Sequence, residues 1–119
     1  MVRKMFPGYI KIVLLSVIAI SLFTSSIHAS SIEEGKEIAF NRAKGNCLAC
    51  HDIMGAQLTG NIAPPLIAMK ARYPDREILK KQIWDASAHN PYTFMPPFGR
   101  HEILTLDEIE KVVDFIHSL

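Results

Sequence analysis

The residues that could do chemistry stand together in one short stretch, "CLACH", residues 47–51. Cys-x-x-Cys-His is the attachment sequence for a c-type haem. Two cysteines three residues apart share one helical turn, so each can add to one of the two vinyl groups of a haem. The adjacent histidine then directs its imidazole at the iron from the same side. The motif predicts that Cys47 and Cys50 attach one haem covalently and that His51 is an axial ligand of its iron.

Three other kinds of site share the Cys-x-x-Cys spacing. A thioredoxin-like redox pair requires a strand–helix–strand setting, and no stretch of this sequence alternates as a strand does. A zinc site needs four ligands, usually including a second Cys/His pair, and none with that spacing is present. A plain disulfide between Cys47 and Cys50 leaves His51 unexplained. Haem attachment therefore accounts for more of the motif than these alternatives do.

A second candidate ligand is Met95, which precedes Pro96-Pro97. Prolines have a fixed φ, and a residue before proline is held extended, so this thioether sits on a stiff backbone. Without a haem, Met95 would be interpreted as a core filler. With one, its position 44 residues after His51 lets the chain wrap the haem edge and supply the sixth iron ligand. His/Met ligation raises the reduction potential and fills both axial positions, which is typical of electron transfer.

Other residues could compete for the sixth position. Met54 lies too close to His51 in the chain to reach the opposite haem face, whereas Met69 is a possible ligand. His89 and His101 flank the proline-rich loop, and either would give a bis-histidine site. Met95 is favoured because its loop is stiffened on both sides, and preorganisation benefits a weak neutral ligand.

Two residues are candidates for supporting roles around the haem. A ligating histidine normally donates its second ring N–H to a carbonyl or carboxylate. The carbonyl of Pro64 is a candidate acceptor for His51, although Pro64-Pro65 can equally be an ordinary loop stiffener. Arg100, which follows the methionine loop directly, is a candidate donor to the haem propionates.

The first 29 residues have the layout of a secretory signal peptide. Three basic residues precede an apolar run over 12–23, and Ile27-His28-Ala29 offers a small-residue cleavage site. The run is shorter than the about 20 residues of a membrane-spanning helix, although an uncleaved N-terminal anchor is the competing interpretation. We expect residues 1–29 to be removed and 30–119 to form one periplasmic domain without a permanent membrane anchor.

The charge of that domain excludes one class of partner. Residues 1–29 hold three of the 13 basic residues and none of the 12 acidic ones, which leaves a net charge of −2. A slightly acidic domain without a Lys/Arg cluster gives no support for nucleic-acid binding.

Helices separated by loops must position these residues. Ser31 with Glu34, and Thr105 with Glu108, have the spacing of capping boxes that open helices. Helices are predicted over 32–44, 66–70, 74–87 and from 105 to the C-terminus, with small residues at Gly35 and Ala39 that would let another helix approach closely. Apolar positions at helical spacing are Ile78, Leu79, Ile83, Trp84, Ile109, Val112, Val113 and Ile116.

The helices, Cys-x-x-Cys-His, the following prolines and the late methionine together resemble a class I c-type cytochrome. Three stretches are similar to a narrower family, the SoxX cytochromes: "KGNCLACH" (44–51), "GNIAPPL" (60–66) and "NPYTFMPPFGRHEILT" (90–105). SoxX is the small monohaem subunit of the SoxAX complex in bacterial thiosulfate oxidation. One departure is Ala63, where members of the family commonly have glycine.

The resemblance implies an all-α, cytochrome c-like domain wrapped around one covalent haem c. It implies thioether bonds at Cys47 and Cys50 and axial ligation by His51 and Met95. The partners would be a SoxA-like cytochrome, which carries the sulfur chemistry, the SoxYZ carrier and a small acceptor cytochrome. This chain would have no catalytic residue of its own, since both cysteines are consumed by the haem.

Two alternatives to a complex subunit remain open from the sequence. The chain could be a free-standing class I electron carrier, which would be monomeric. It could instead be a haem protein with an open sixth site, which would bind carbon monoxide readily when reduced.

Overall fold

Four α-helices and two short 3-10 turns, joined by long loops, make up the part of the chain that the computed structural model describes, residues 30–119. Helix α1 covers 30–40, and no residue of 30–119 lies in a strand. The other elements are α2 (Met69–Arg72), α3 (Arg76–Trp84), α4 (Leu106–His117) and the 3-10 turns Cys47–Ala49 and Ala86–Ala88. The predicted all-helical class is therefore confirmed for these residues. The predicted signal peptide at 1–29 lies outside the described residues and stays a prediction.

Helix α4 begins where its cap residues predict. The hydroxyl of Thr105 accepts a hydrogen bond from the Glu108 amide at 3.2 Å. The Glu108 carboxylate in turn accepts one from the Thr105 amide at 3.0 Å, which completes the capping box. The apolar positions predicted from helical spacing are buried, and they are Ile109, Val112, Val113 and Ile116.

Helix α1 crosses α4 at a glycine, as the predicted small-residue face requires. A Cβ built on Gly35 would lie 1.9 Å from the Lys111 carbonyl oxygen, so only glycine permits this approach. Ala39 on the same face is fully buried. The rings of Phe40 and Phe115 meet edge to face, with centroids 5.7 Å apart.

The predicted start and end of α1 were wrong. Residue 31 lies inside the helix, and the Ser31 hydroxyl donates to the Asp114 carboxylate at 2.6 Å instead of capping. The helix ends at residue 40 and not at 44. The Asn41 side chain accepts a hydrogen bond from the Ala43 amide at 2.8 Å, and asparagine competes with helix in this way by bonding to nearby backbone.

Helix α3 is shorter than the predicted 74–87. The Asp75 carboxylate caps the Glu77 amide at 2.9 Å, so the helix begins at Arg76. At its other end Asp85 accepts from the Ser87 amide and starts a separate 3-10 turn. The short helix predicted at 66–70 lies slightly later, at Met69–Arg72.

The inward face predicted for α3 is half right. Leu79 and Ile83 are buried in the core, whereas Ile78 is 50% exposed and Trp84 is 39% exposed. Trp84 lies at the end of α3, where its ring meets the backbone of Gly99, whereas Leu79 and Ile83 face the core that α3 shares with α4.

An ion-pair network joins α3 to α4. The Arg76 guanidinium contacts the Asp114 carboxylate at 2.7 Å and the Glu110 carboxylate at 2.8 Å. Lys80 contacts the other oxygen of Glu110 at 2.5 Å. The hydrogen bond from Lys80, followed by that from Arg76, holds the pKa of Glu110 below its ordinary value. These polar groups therefore fix the side of the α3–α4 contact that faces solvent.

Within residues 30–119, the helices are too short or too polar for any of them to cross a membrane.

We expect Gly35→Ala to destabilise the domain by about 1–3 kcal/mol, because the added methyl group forces apart two helix backbones. Alanine would raise the intrinsic helix propensity at this position, so any loss reports the crossing itself. Urea unfolding followed by circular dichroism measures the effect. Glu37→Ala, an exposed change on the same helix, is the control and should shift stability by no more than about 0.5 kcal/mol. A Gly35→Ala protein as stable as the parent would contradict the close crossing.

Acid should weaken the contact between α3 and α4. Because the pKa of Glu110 is lower in the folded chain than in the unfolded chain, its stabilisation is present above the unfolded pKa and is lost as pH falls through the folded pKa. Glu110→Gln should therefore lower the free energy of unfolding at pH 7 and flatten its decline between pH 5 and pH 3. Urea titrations across this range measure it. Glu37→Gln serves as the control, and a decline as steep in Glu110→Gln as in the parent would contradict the assignment.

Candidate functional site

The Cys-x-x-Cys-His segment follows a sharp turn after α1. The Gly45 amide donates back to the Ile38 carbonyl at 3.2 Å. Asn46 has φ 48°, a left-handed conformation that asparagine adopts more readily than most residues. The chain then forms the 3-10 turn Cys47–Ala49. This turn places the two cysteines and the histidine on one short, ordered segment beside the end of α1.

Both cysteines are free thiols, so the disulfide alternative does not describe this structure. Cys47 packs against the hydrophobic core, and burial raises the pKa of its thiol to about 11. The motif therefore presents two partly buried thiols one turn apart, and that of Cys47 lies at the edge of the apolar core.

The predicted partner of His51 is present. The Nδ1 atom of His51 lies 2.7 Å from the Pro64 carbonyl oxygen. A carbonyl can only accept, so Nδ1 carries a proton, and in the neutral imidazole this leaves the lone pair of Nε2 free. This is the tautomer and orientation that a metal-ligating histidine requires.

A backbone ladder holds the "GNIAPPL" segment against the motif. The amides of Gly60, Ala63 and Leu66 donate to the carbonyls of Leu48, Cys50 and Asp52 at 2.7, 3.0 and 2.8 Å. A Cβ on Gly60 would lie 2.3 Å from the Ala49 carbonyl oxygen, so the two segments touch backbone to backbone. The hydrogen bond between the His51 side chain and the Pro64 carbonyl is thus flanked by backbone hydrogen bonds between the same two segments.

The loop that carries Met95 is ordered by its own side chains. The Tyr92 amide donates to the Asn90 side chain at 3.1 Å, and the Met95 amide donates to the Thr93 hydroxyl at 3.1 Å. Asparagine and threonine form local turns of this kind. These two turns give Asn90 and Thr93 a structural role ahead of the methionine. The Met95 side chain itself is half-buried against the same core cluster as Cys47.

The other candidates for the sixth ligand lie elsewhere. Met69 is 2% exposed within the core, and the Arg72 guanidinium lies 3.5 Å from its sulfur. Met54 is 83% exposed, and His89 and His101 are also exposed. Of these thioethers and imidazoles, Met95 alone combines a stiff loop with partial burial at the core edge.

Arg100 contacts the 3-10 turn that follows α3, and its predicted contact with the haem propionates stays a prediction. Its Nε atom lies 3.1 Å from the Asp85 carboxylate, and its Nη2 atom donates to the Ser87 hydroxyl at 3.3 Å. The Gly99 and Arg100 amides both point at the Trp84 carbonyl, at 3.1 and 3.3 Å. Sequence reasoning missed this junction, because nothing in the local pattern links residues 84–87 to residues 99 and 100.

The chemistry of the donor set fits a c-type haem. Two thiols on one turn and an adjacent imidazole with a free Nε2 are the groups that covalent attachment and axial ligation need. Among residues 30–119, no three His, Cys, Asp or Glu side chains are grouped so as to hold a metal ion by themselves. Large apolar side chains at the surface of both loops also suit contact with an apolar macrocycle, and they are Ile62, Ile67, Tyr92 and Phe94.

Comparison with known proteins is consistent with this site. The solved structure of SoxXA from P. pantotrophus contains a chain that is similar with a TM-score of 0.66 and 31% sequence identity, covering 73% of this chain and 80% of that chain. An uncharacterized lipoprotein from Aquifex aeolicus (strain VF5) is 33% identical over 79 residues, which is 63% of this chain. The chain spans only 37% of the length of that curated relative.

A family match covers the whole of the described fold except its first two residues. Residues 32–119 match the cytochrome c family, and this range includes the Cys-x-x-Cys-His segment and the methionine loop. The chain therefore belongs to the cytochrome c family, whose members bind haem c covalently.

Proposed function

We propose that this chain is a monohaem electron-transfer cytochrome that acts as the SoxX-like subunit of a SoxAX complex in periplasmic thiosulfate oxidation. The observation that carries the proposal is the similarity to a chain of the SoxXA structure, at a TM-score of 0.66 and 31% identity. The block "NPYTFMPPFGRHEILT", residues 90–105, resembles the same family and supports the narrower assignment.

Four residues would hold the haem. Cys47 and Cys50 would form the thioether bonds, and His51 would ligate the iron through Nε2, which its hydrogen bond to Pro64 leaves free. Met95 would supply the sixth ligand. The bound haem supplies a one-electron iron couple. Ligation by the His51 imidazole and the Met95 thioether would raise the reduction potential and would fill the positions at which a substrate could bind the iron.

The protein contributes rigidity to this reaction. The backbone ladder from Gly60 to Leu66 fixes the segment that carries His51. The Thr93 hydroxyl and the prolines fix the backbone around Met95. Ligands held in one geometry need little rearrangement when an electron arrives or leaves, which favours electron transfer over substrate chemistry.

The sulfur chemistry would belong to the partner. Both cysteines of this chain are assigned to the haem, so it offers no thiol nucleophile of its own. A SoxA-like cytochrome would join thiosulfate to the SoxYZ carrier, and this chain would pass the electrons to a small acceptor cytochrome. The signal-peptide pattern at residues 1–29 supports export to the periplasm, where these partners would be found.

We expect Met95→Ala to remove the weak near-infrared sulfur-to-iron band of the oxidised holoprotein and to lower its reduction potential. The reduced variant should also bind carbon monoxide readily, whereas the parent should not. Absorption spectroscopy and redox titration measure these effects. Met54→Ala removes an exposed thioether and is the matched control, so it should leave the band and the potential unchanged. A band that survives Met95→Ala would show that another residue is the ligand.

We expect the full chain, produced together with a SoxA-like cytochrome, to co-purify with it as a stable one-to-one complex. Size-exclusion chromatography with haem detection measures this. An unrelated monohaem cytochrome in place of the SoxA-like protein is the control and should elute separately. A holoprotein that stays monomeric with every SoxA-like partner, while still exchanging electrons with a small cytochrome, would favour the free-standing carrier instead.

A further inference from the structure

The methionine loop is attached to the end of α3 through its C-terminal side. The Gly99 and Arg100 amides donate to one acceptor, the Trp84 carbonyl, at 3.1 and 3.3 Å. A Cβ on Gly99 would lie 2.1 Å from the Trp84 ring, so the loop backbone lies directly on the indole. The loop thus ends in contact with the last residue of α3.

One ion pair closes this junction. The Arg100 guanidinium meets Oδ2 of Asp85 at 3.1 Å, with the Asp85 side chain only 15% exposed. The other carboxylate oxygen, Oδ1, accepts a hydrogen bond from the Ser87 amide at 3.1 Å. One oxygen of Asp85 is therefore fixed by the Ser87 amide, and the other oxygen pairs with the Arg100 guanidinium.

The backbone between Met95 and Arg100 has little conformational freedom. Pro96 and Pro97 follow the methionine and have fixed φ angles. Phe98 is buried in the core, and its amide donates to the Pro96 carbonyl at 3.0 Å. Few backbone dihedral angles between Met95 and Arg100 are therefore free to change.

We propose that Asp85 and Arg100 are positioning residues for Met95, which hold the methionine loop on α3 so that the thioether stays in place as an iron ligand. The inference rests on the proposed ligation by Met95. A weak neutral ligand depends on preorganisation, so release of the loop increases the fraction of protein in which Met95 has left the iron.

The test uses the oxidised holoprotein and added imidazole, which binds the iron only where Met95 has dissociated. The apparent affinity for imidazole is proportional to that dissociated fraction. Asp85→Asn keeps a side-chain oxygen for the Ser87 amide and removes the charge that faces Arg100. Arg100→Gln removes the same pair from the other side.

We expect both variants to bind imidazole about twofold to fivefold more tightly than the parent, as the loss of one partly exposed ion pair implies. Each should keep the near-infrared band before imidazole is added. Arg100→Lys keeps the positive charge and should restore most of the parent midpoint. Glu110→Gln breaks an ion pair between α3 and α4 away from the loop and should leave the midpoint unchanged, so it separates a local effect from general destabilisation.

Parent-like imidazole midpoints in both Asp85→Asn and Arg100→Gln would overturn the positioning role and leave ligation by Met95 standing. The same shift in Glu110→Gln as in these variants would also overturn it. A parent protein without the near-infrared band would instead overturn the ligation by Met95 and the positioning role with it.

Discussion

The site depends on keeping the imidazole of His51 in one tautomer and one orientation. The 2.7 Å hydrogen bond to the Pro64 carbonyl does this, and it is possible only because the 60–66 backbone lies against the Cys-x-x-Cys-His segment. That approach in turn requires glycine at position 60, where a side chain would meet the Ala49 carbonyl. The hydrogen bond that orients the proposed iron ligand His51 thus depends on a glycine nine residues later in the chain.

The helices form the core against which the Cys-x-x-Cys-His segment and the methionine loop pack. Gly35 lets α1 and α4 touch backbone to backbone, and the Arg76 network closes the solvent side of the α3–α4 contact. Cys47 and Met95 both pack against the resulting core. An apolar core this small gains further support from a covalently attached cofactor, as small domains often do. In this fold the haem-binding segments and the core stabilise each other.

The methionine loop combines local and long-range control of one side chain. Asn90 and Thr93 order the approach to Met95 through turns that involve only neighbouring residues. The exit from the loop depends on α3, through the Trp84 carbonyl and the Asp85 carboxylate. Local turns orient the thioether, whereas the long-range contacts determine where the whole loop lies.

Local sequence patterns were enough to predict the haem c motif, the all-helical class, the Thr105–Glu108 cap and the buried face of α4, because each depends on residues a few positions apart. It also suggested the His51–Pro64 pair. Three features emerge only in the folded chain: Met69 is buried in the core, Trp84 is partly exposed and Arg100 pairs with Asp85. Burial and ion pairing depend on which distant segments meet, and periodicity along one chain carries no information about that meeting.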